Sequence, residues 1–288
     1  MPDRDETPVL EPAPGALPVA LSLSSAPPSP GPPRARRRLL AWLAAAALLG
    51  SLATVPYAAH LLAGLAAAPG GPSLPPGAVG LAAVASALFT AALAFLLGWL
   101  GVVLGERIGL GDPVLAAWAA SRGVDRDPLR RVAVRAVPAG LAGGALAALI
   151  VSRIPTPLRA GITEPNAWEG FLGSLGAGVT EEMLCRLGLL TLFAWLGARL
   201  LRQARPGALV LWIANLLAGL LFAALHLPQA NALLLHMDAA ALAVVLAGNL
   251  AIGLICGWLY WRLGILAAMI AHGSADLVLH VLPPLLLR

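Results

Sequence analysis

Apolar residues run along this chain in seven long stretches, at about 39–67, 79–104, 132–152, 170–198, 208–227, 239–261 and 264–282. Short segments rich in Arg, Pro and Asp separate them. Each stretch reaches the ~20 residues that an α-helix needs to cross a bilayer. They are runs of Leu, Ala and Gly, without the period-two alternation of a barrel strand. The pattern therefore predicts an all-α, polytopic transmembrane helix bundle. Pro56 and His60 fall within the first stretch, and Pro56 predicts a kink there.

The segments between the stretches refine this picture. Residues 1–33 hold ten prolines among many Ser and Ala. Such a segment cannot build a core and is too proline-rich for a cleaved signal. The chain thus divides into a disordered, Pro-rich tail over 1–38, ending in Arg34, Arg36, Arg37 and Arg38, and a transmembrane domain over 39–288. With the N-terminus inside, fifteen arginines fall in inner segments and three, Arg153, Arg159 and Arg288, in outer ones. That asymmetry is what the positive-inside rule predicts for N-in, C-out. In the inner loop at 105–131, the stretch from Pro113 predicts a short helix along the membrane surface, with Trp118 at the interface.

Composition agrees. Hydrophobic residues make up 59% of the 288 and charged ones 11%, well below the roughly one quarter of soluble domains. The mean hydropathy is +0.84. All 19 basic residues are Arg. They sit at the ends of apolar stretches, as topology requires, so the high isoelectric point does not signal nucleic-acid binding. Cys185 and Cys256 lie inside apolar stretches without metal-site spacing and read as buried free thiols.

Against this background, ionisable residues inside the stretches locate function, because burying them in a membrane costs about 2.5 to more than 10 kcal/mol. Stretch four carries Glu181, Glu182 and Arg186; stretch five carries His226; stretch seven carries His272, Asp276 and His280. At roughly 100° per residue, Glu182 and Arg186 share a face and pair i to i+4, while Glu181 points elsewhere. One carboxylate is thus compensated. The other is left over, which makes Glu181 the candidate general base. His272 and Asp276 also share a face, so that a carboxylate can fix an imidazole tautomer.

Glu181-Glu182-x-x-x-Arg186, Phe222-x-x-x-His226 and His272-x-x-x-Asp276, in this order on the fourth, fifth and seventh stretches, resemble the three motifs of the CPBP intramembrane proteases. That group includes the CAAX prenyl endopeptidases and the Abi-type, bacteriocin-immunity relatives. The resemblance covers roughly 165–282. It implies a peptide hydrolase in which Glu181 and His226 activate water, Glu182 and Arg186 hold the site together, and His272 and residue 276 stabilise the oxyanion. Family members usually carry Asn where this chain has Asp276. An ionised Asp cannot donate to an oxyanion. Asp276 is then protonated, or orients His272, or belongs with Glu181, His226 and His272 to a divalent-metal site such as zinc.

Other chemistries fit less well. The chain has no HExxH, and Gly173-Ser174 and Gly273-Ser274 lack the rhomboid pattern. Gly109-Leu-Gly-Asp112 has the spacing of aspartyl intramembrane proteases, but no second Asp lies in stretches one to three, and Asp112 reads as a turn. Gly253 and Gly257 form a GxxxG, better suited to internal packing than to a dimer. The alternative function is a catalytically inactive membrane scaffold or a transporter using buried charges. The expected partners are the lipid bilayer and a membrane-associated peptide or protein, with a bacterial inner (plasma) membrane as the setting. One feature strains the reading. Counted from Trp212 at about 1.5 Å per residue, His226 would sit outward of Glu181 and His272.

Overall fold

The computed structural model describes residues 33–75, 77–120, 126–153, 157 and 162–286. The tail at 1–32, together with Arg4, Arg122, Arg159 and Arg288, lies outside them. Seven helical spans are long and apolar enough to cross a membrane: Pro33–Ala67, Ala78–Ile108, Asp127–Ser152, Ala167–Leu200, Ala208–Leu233, Ala239–Leu263 and Ile265–Leu286. No strand occurs among the described residues. The expected all-α transmembrane bundle is what forms, and the protein is an integral, multi-pass membrane protein. Its outward faces carry large apolar side chains such as Leu49, Leu81, Phe89 and Leu209, as a hydrocarbon solvent requires.

Local chemistry sets the element ends. Span one breaks at Thr54, and Pro56 sits in the first turn of its second helix, Val55–Ala67. The expected kink is therefore present. The first helix starts at Pro33, so Arg34 to Arg38 form its opening turns. Span four opens on a capping box: Asn166 Oδ1 accepts from the Trp168 and Glu169 N–H groups, and Glu169 Oε2 accepts from Asn166 N–H. Span five pauses at His226, after which Pro228 opens the short helix Leu227–Leu233.

The short helix expected in the inner loop is Pro113–Ala120. Rather than only lying on the membrane surface, it packs against the first helix of span one, burying Val114 and Ala119. Asp112 does more than make a turn. Its Oδ1 accepts from Leu115 N–H and its Oδ2 from Leu266 N–H, so one carboxylate caps both the short helix and span seven. Burial pushes the Asp112 carboxyl above the ordinary carboxylate range, and the Leu266 and Leu115 N–H groups pull it back.

Span four stands at the centre. It packs against spans one, two, five and seven, and span three closes the other side against spans six and seven. The core between spans is largely Ala and Gly, which lets backbones approach closely. Gly140 and Gly144 of span three face the backbone of span seven, where an added Cβ would overlap the Ala271 and Ala275 carbonyls. This seam fixes the span-seven turn that carries His272 and Asp276. Gly253 and Gly257 serve internal packing: Gly253 lies against Gly219, Phe222 and Arg186, and Gly257 against Asn215.

Candidate active site

Span four supplies two neighbouring carboxylates with opposite surroundings. Glu182 is fully buried. Its Oε1 lies 2.9 Å from Arg186 Nη1, the i to i+4 ion pair expected from the spacing. Arg186 is buried as deeply. Its Nη2 donates to the Gly253 carbonyl at 3.2 Å, and its guanidinium lies 4.4 Å from the centre of the Phe222 ring. These contacts offset part of the cost of burying the pair; Glu182 Oε2 has no hydrogen-bond partner among the described residues.

The helix is not α throughout. From Met183 to Leu190 it widens into a π-helix. A second π segment, Leu277–Val281, begins immediately after Asp276. Both wide turns thus follow directly on site carboxylates. Single π turns interrupting α-helices recur at functional sites. The Arg186 carbonyl at the first one receives both the N–H and the hydroxyl of Thr191, and that hydroxyl lies 2.6 Å from Tyr260 Oη.

The two histidines are held by their Nδ1 atoms. His226 Nδ1 lies 2.8 Å from the Phe222 carbonyl, four residues back. A carbonyl only accepts, so Nδ1 carries the proton. His272 Nδ1 lies 2.7 Å from Glu182 Oε1. Because Glu182 is ionised against Arg186, Nδ1 donates here too. Phe222 sits edge-on to both rings, 4.8 Å from His226 and 5.6 Å from His272 between centroids.

His226 therefore turns an unprotonated Nε2 toward Glu181, and His272 turns its Nε2 toward the same carboxylate. Glu181 Oε2 lies 3.8 Å from His226 Nε2 and 3.9 Å from His272 Nε2. Both distances exceed a hydrogen bond. Glu181 Oε2 is itself buried and has no hydrogen-bond partner among the described residues. Glu181 Oε2, His226 Nε2 and His272 Nε2 converge on one place. A water, with two O–H bonds to give and a lone pair to receive, bridges gaps that no direct contact spans. The Glu181 and His226 side chains each keep 31% of their surface exposed, against 4% for His272.

Asp276 lies on the Nε2 side of His272, with Oδ2 3.6 Å away. The carboxylate that fixes the His272 tautomer is therefore Glu182, on another span, and not the residue one turn away. His226 reaches Glu181 despite its place at the very end of its helix. Sequence spacing did not reveal three supports of the site: Glu182 as the holder of His272, the Gly253 carbonyl that receives Arg186, and Phe222 as the shared wall. Only the FxxxH spacing hinted at the last.

A divalent metal does not fit the expected donor set. The ligating atoms that lie within 4.8 Å of one another belong to Glu182, Cys256 and His272 among the described residues, not to Glu181, His226, His272 and Asp276. Within that group Glu182 already holds the Arg186 guanidinium, whose positive charge opposes a second cation beside it.

No curated protein and no solved structure matches the chain. Residues 163–278 match the family model described as type II CAAX prenyl endopeptidase Rce1-like. The matched stretch contains Glu181, Glu182, Arg186, Phe222, His226, His272 and Asp276, and nearly coincides with the one that carries the three motifs. Over this C-terminal part, the chain is similar to the CPBP/CAAX family of intramembrane proteases.

Proposed function

We propose that this protein is a CAAX-protease-like intramembrane endopeptidase that hydrolyses a peptide bond of a membrane-associated substrate with a water held by Glu181 and His226. The observation that carries the reading is the partnerless Glu181 Oε2, set 3.8 and 3.9 Å from two Nε2 atoms whose rings have committed their Nδ1 protons elsewhere. Glu181 takes one proton from the water, and the oxygen attacks the scissile carbonyl. The C–N bond breaks as Glu181 returns the proton to the amine, leaving an amine and a carboxylic acid that ionises by giving the second water proton to His226 Nε2. His272, held through Nδ1 by Glu182, donates to the developing oxyanion from Nε2 in its imidazolium form. Asp276, 3.6 Å from that nitrogen, flanks the donor. Glu182 and Arg186 do not touch the substrate; they position His272.

The reaction is tested with purified protein in liposomes, tethered peptides with and without a prenyl group, and ¹⁸O-labelled water. One ¹⁸O atom enters the new carboxylate of the cleaved peptide. Cleavage through an acyl-enzyme that hydroxylamine traps as a hydroxamate, or no cleavage of any tethered peptide, would overturn the reading. The fifteen-to-three arginine distribution supports N-in, C-out. Impermeant labelling of a cysteine at 203 from outside would contradict it.

A further inference from the structure

Hydrolysis consumes water, and the site lies among apolar spans. Among the ionisable or polar side chains within the spans that take no part in the chemistry above are Tyr57 and His60 of span one, and His280 of span seven. They are neither scattered nor fully buried. Tyr57 Oη lies 3.5 Å from His280 Nδ1, with the rings edge-on at 5.7 Å between centroids. Gly173 of span four leaves room for the tyrosine; a Cβ there would press on its ring at 3.1 Å. Tyr57 lies within Coulombic reach of Glu164, Asp276 and Glu181. One helical turn further along, His60 Nδ1 is 3.0 Å from Glu169 Oε2 and its Nε2 is 3.0 Å from Thr163 Oγ1.

These groups form a file from the catalytic carboxylates, past Tyr57 and His280, to His60 and the Thr163–Glu169 segment at the arginine-poor end of the bundle. All three aromatic or imidazole rings are half-buried. Polar side chains facing one another along a seam mark where water can penetrate between spans. The break at Thr54 and Pro56 starts the helix that presents Tyr57 and His60 three residues apart, on neighbouring positions of one face. Span one lies outside the stretch that matches the protease family.

We propose that Tyr57, His60 and His280 line the route by which water reaches Glu181 from the arginine-poor surface. The proposal rests on the proteolytic reading for its purpose, but its test does not need proteolysis. A cysteine in place of Glu181 is treated with a small, charged, membrane-impermeant thiol reagent in vesicles of both orientations. Cysteines at 74 and 203 mark the two faces, and the native protein, whose Cys185 and Cys256 are buried, sets the background. The Glu181→Cys protein should react from the face that exposes position 74, and Tyr57→Trp should slow the reaction at least tenfold. His60→Trp, at a less confined position, should slow it as well and serves if Tyr57→Trp does not fold. Reaction only from the position-203 face, no reaction from either face, or a rate indifferent to tryptophan at 57 and 60 would each overturn the route. A native protein that cleaves nothing, in vesicles where the labelling behaves as expected, would instead remove the proteolytic reading and leave the route standing.

Discussion

Glu181 and Glu182 are the same side chain on adjacent residues of one helix, yet they live in opposite surroundings. On the closed side, Glu182 has no exposed surface and holds Arg186 and His272 at 2.9 and 2.7 Å. On the open side, Glu181 is 31% exposed and its Oε2 has no partner among the described residues. The closed side spends its charges on one another. The open side is left with an acceptor that only an incoming molecule can satisfy. The comparison shows how a membrane protein keeps a reactive carboxylate. An ion pair next door fixes the helix and one imidazole, so the neighbouring carboxylate need not collapse onto a cation.

The largest expected effect tests the open side. Glu181→Gln should lower the cleavage rate by about 10²–10⁴-fold and leave the melting temperature in detergent unchanged. A melting temperature that fell with the rate would erase the distinction between the two sides.

On the closed side the order of effects reverses. Arg186→Ala strands Glu182 as a buried charge and should cost about 3–5 kcal/mol of stability, read as loss of folded protein in the membrane. Replacing both residues together, Glu182→Leu with Arg186→Met, should recover most of that stability. Activity should stay low, because His272 Nδ1 has lost its acceptor. Activity that returned with stability would show that Glu182 is glue and nothing more.

A milder change reaches the site through packing. Gly140→Ala pushes a methyl group against the Ala271 carbonyl and should cost about 1–3 kcal/mol. Because the displaced turn carries His272, the rate should fall while folded protein persists. An unaltered rate would show that the span-three seam does not position the site.

The smallest effect is expected at Asp276→Asn, which keeps an oxygen beside His272 Nε2 and adds a donor that needs no proton. Activity should be roughly unchanged. Elemental analysis of both proteins sharpens the test: stoichiometric zinc or cobalt in the native protein, lost together with activity in the variant, would overturn the metal-free mechanism.

Much of this architecture is legible in sequence because it is written locally. Span number follows from hydropathy, the break in span one from Pro56, the short helix between spans two and three from the Pro113 segment, and the Glu182–Arg186 pair from helical spacing. What could not be read is what joins distant spans. Glu182 and His272 meet across 90 residues, and no periodicity encodes that pairing. The nearer Asp276 was therefore the natural holder to expect, and it lies on the wrong side of the ring. The depth of His226 was misjudged because a count along one helix knows nothing of its packing against span four. The π turns after Glu182 and Asp276 also escape a reading that assumes one fixed angle per residue. Asp112 looked like a turn because its second partner, Leu266, lies 154 residues away.

Spans six and seven are joined by a single residue. Span six ends at Leu263, span seven starts at Ile265, and Gly264 between them has φ near +101°, a conformation that favours glycine. A Cβ at Gly264 would also meet the Asp112 carboxylate. Chain length at this joint is therefore not negotiable. The segment at 201–207 between spans four and five can absorb an added residue or a short tag, since loops on a surface take insertions cheaply. At Gly264 one extra residue would rotate or slide span seven relative to span six, carrying His272 and Asp276 away from Glu181. The two spans thus form one hairpin of fixed length, tolerant of change in the side chains that face lipid but not in the number of residues between them.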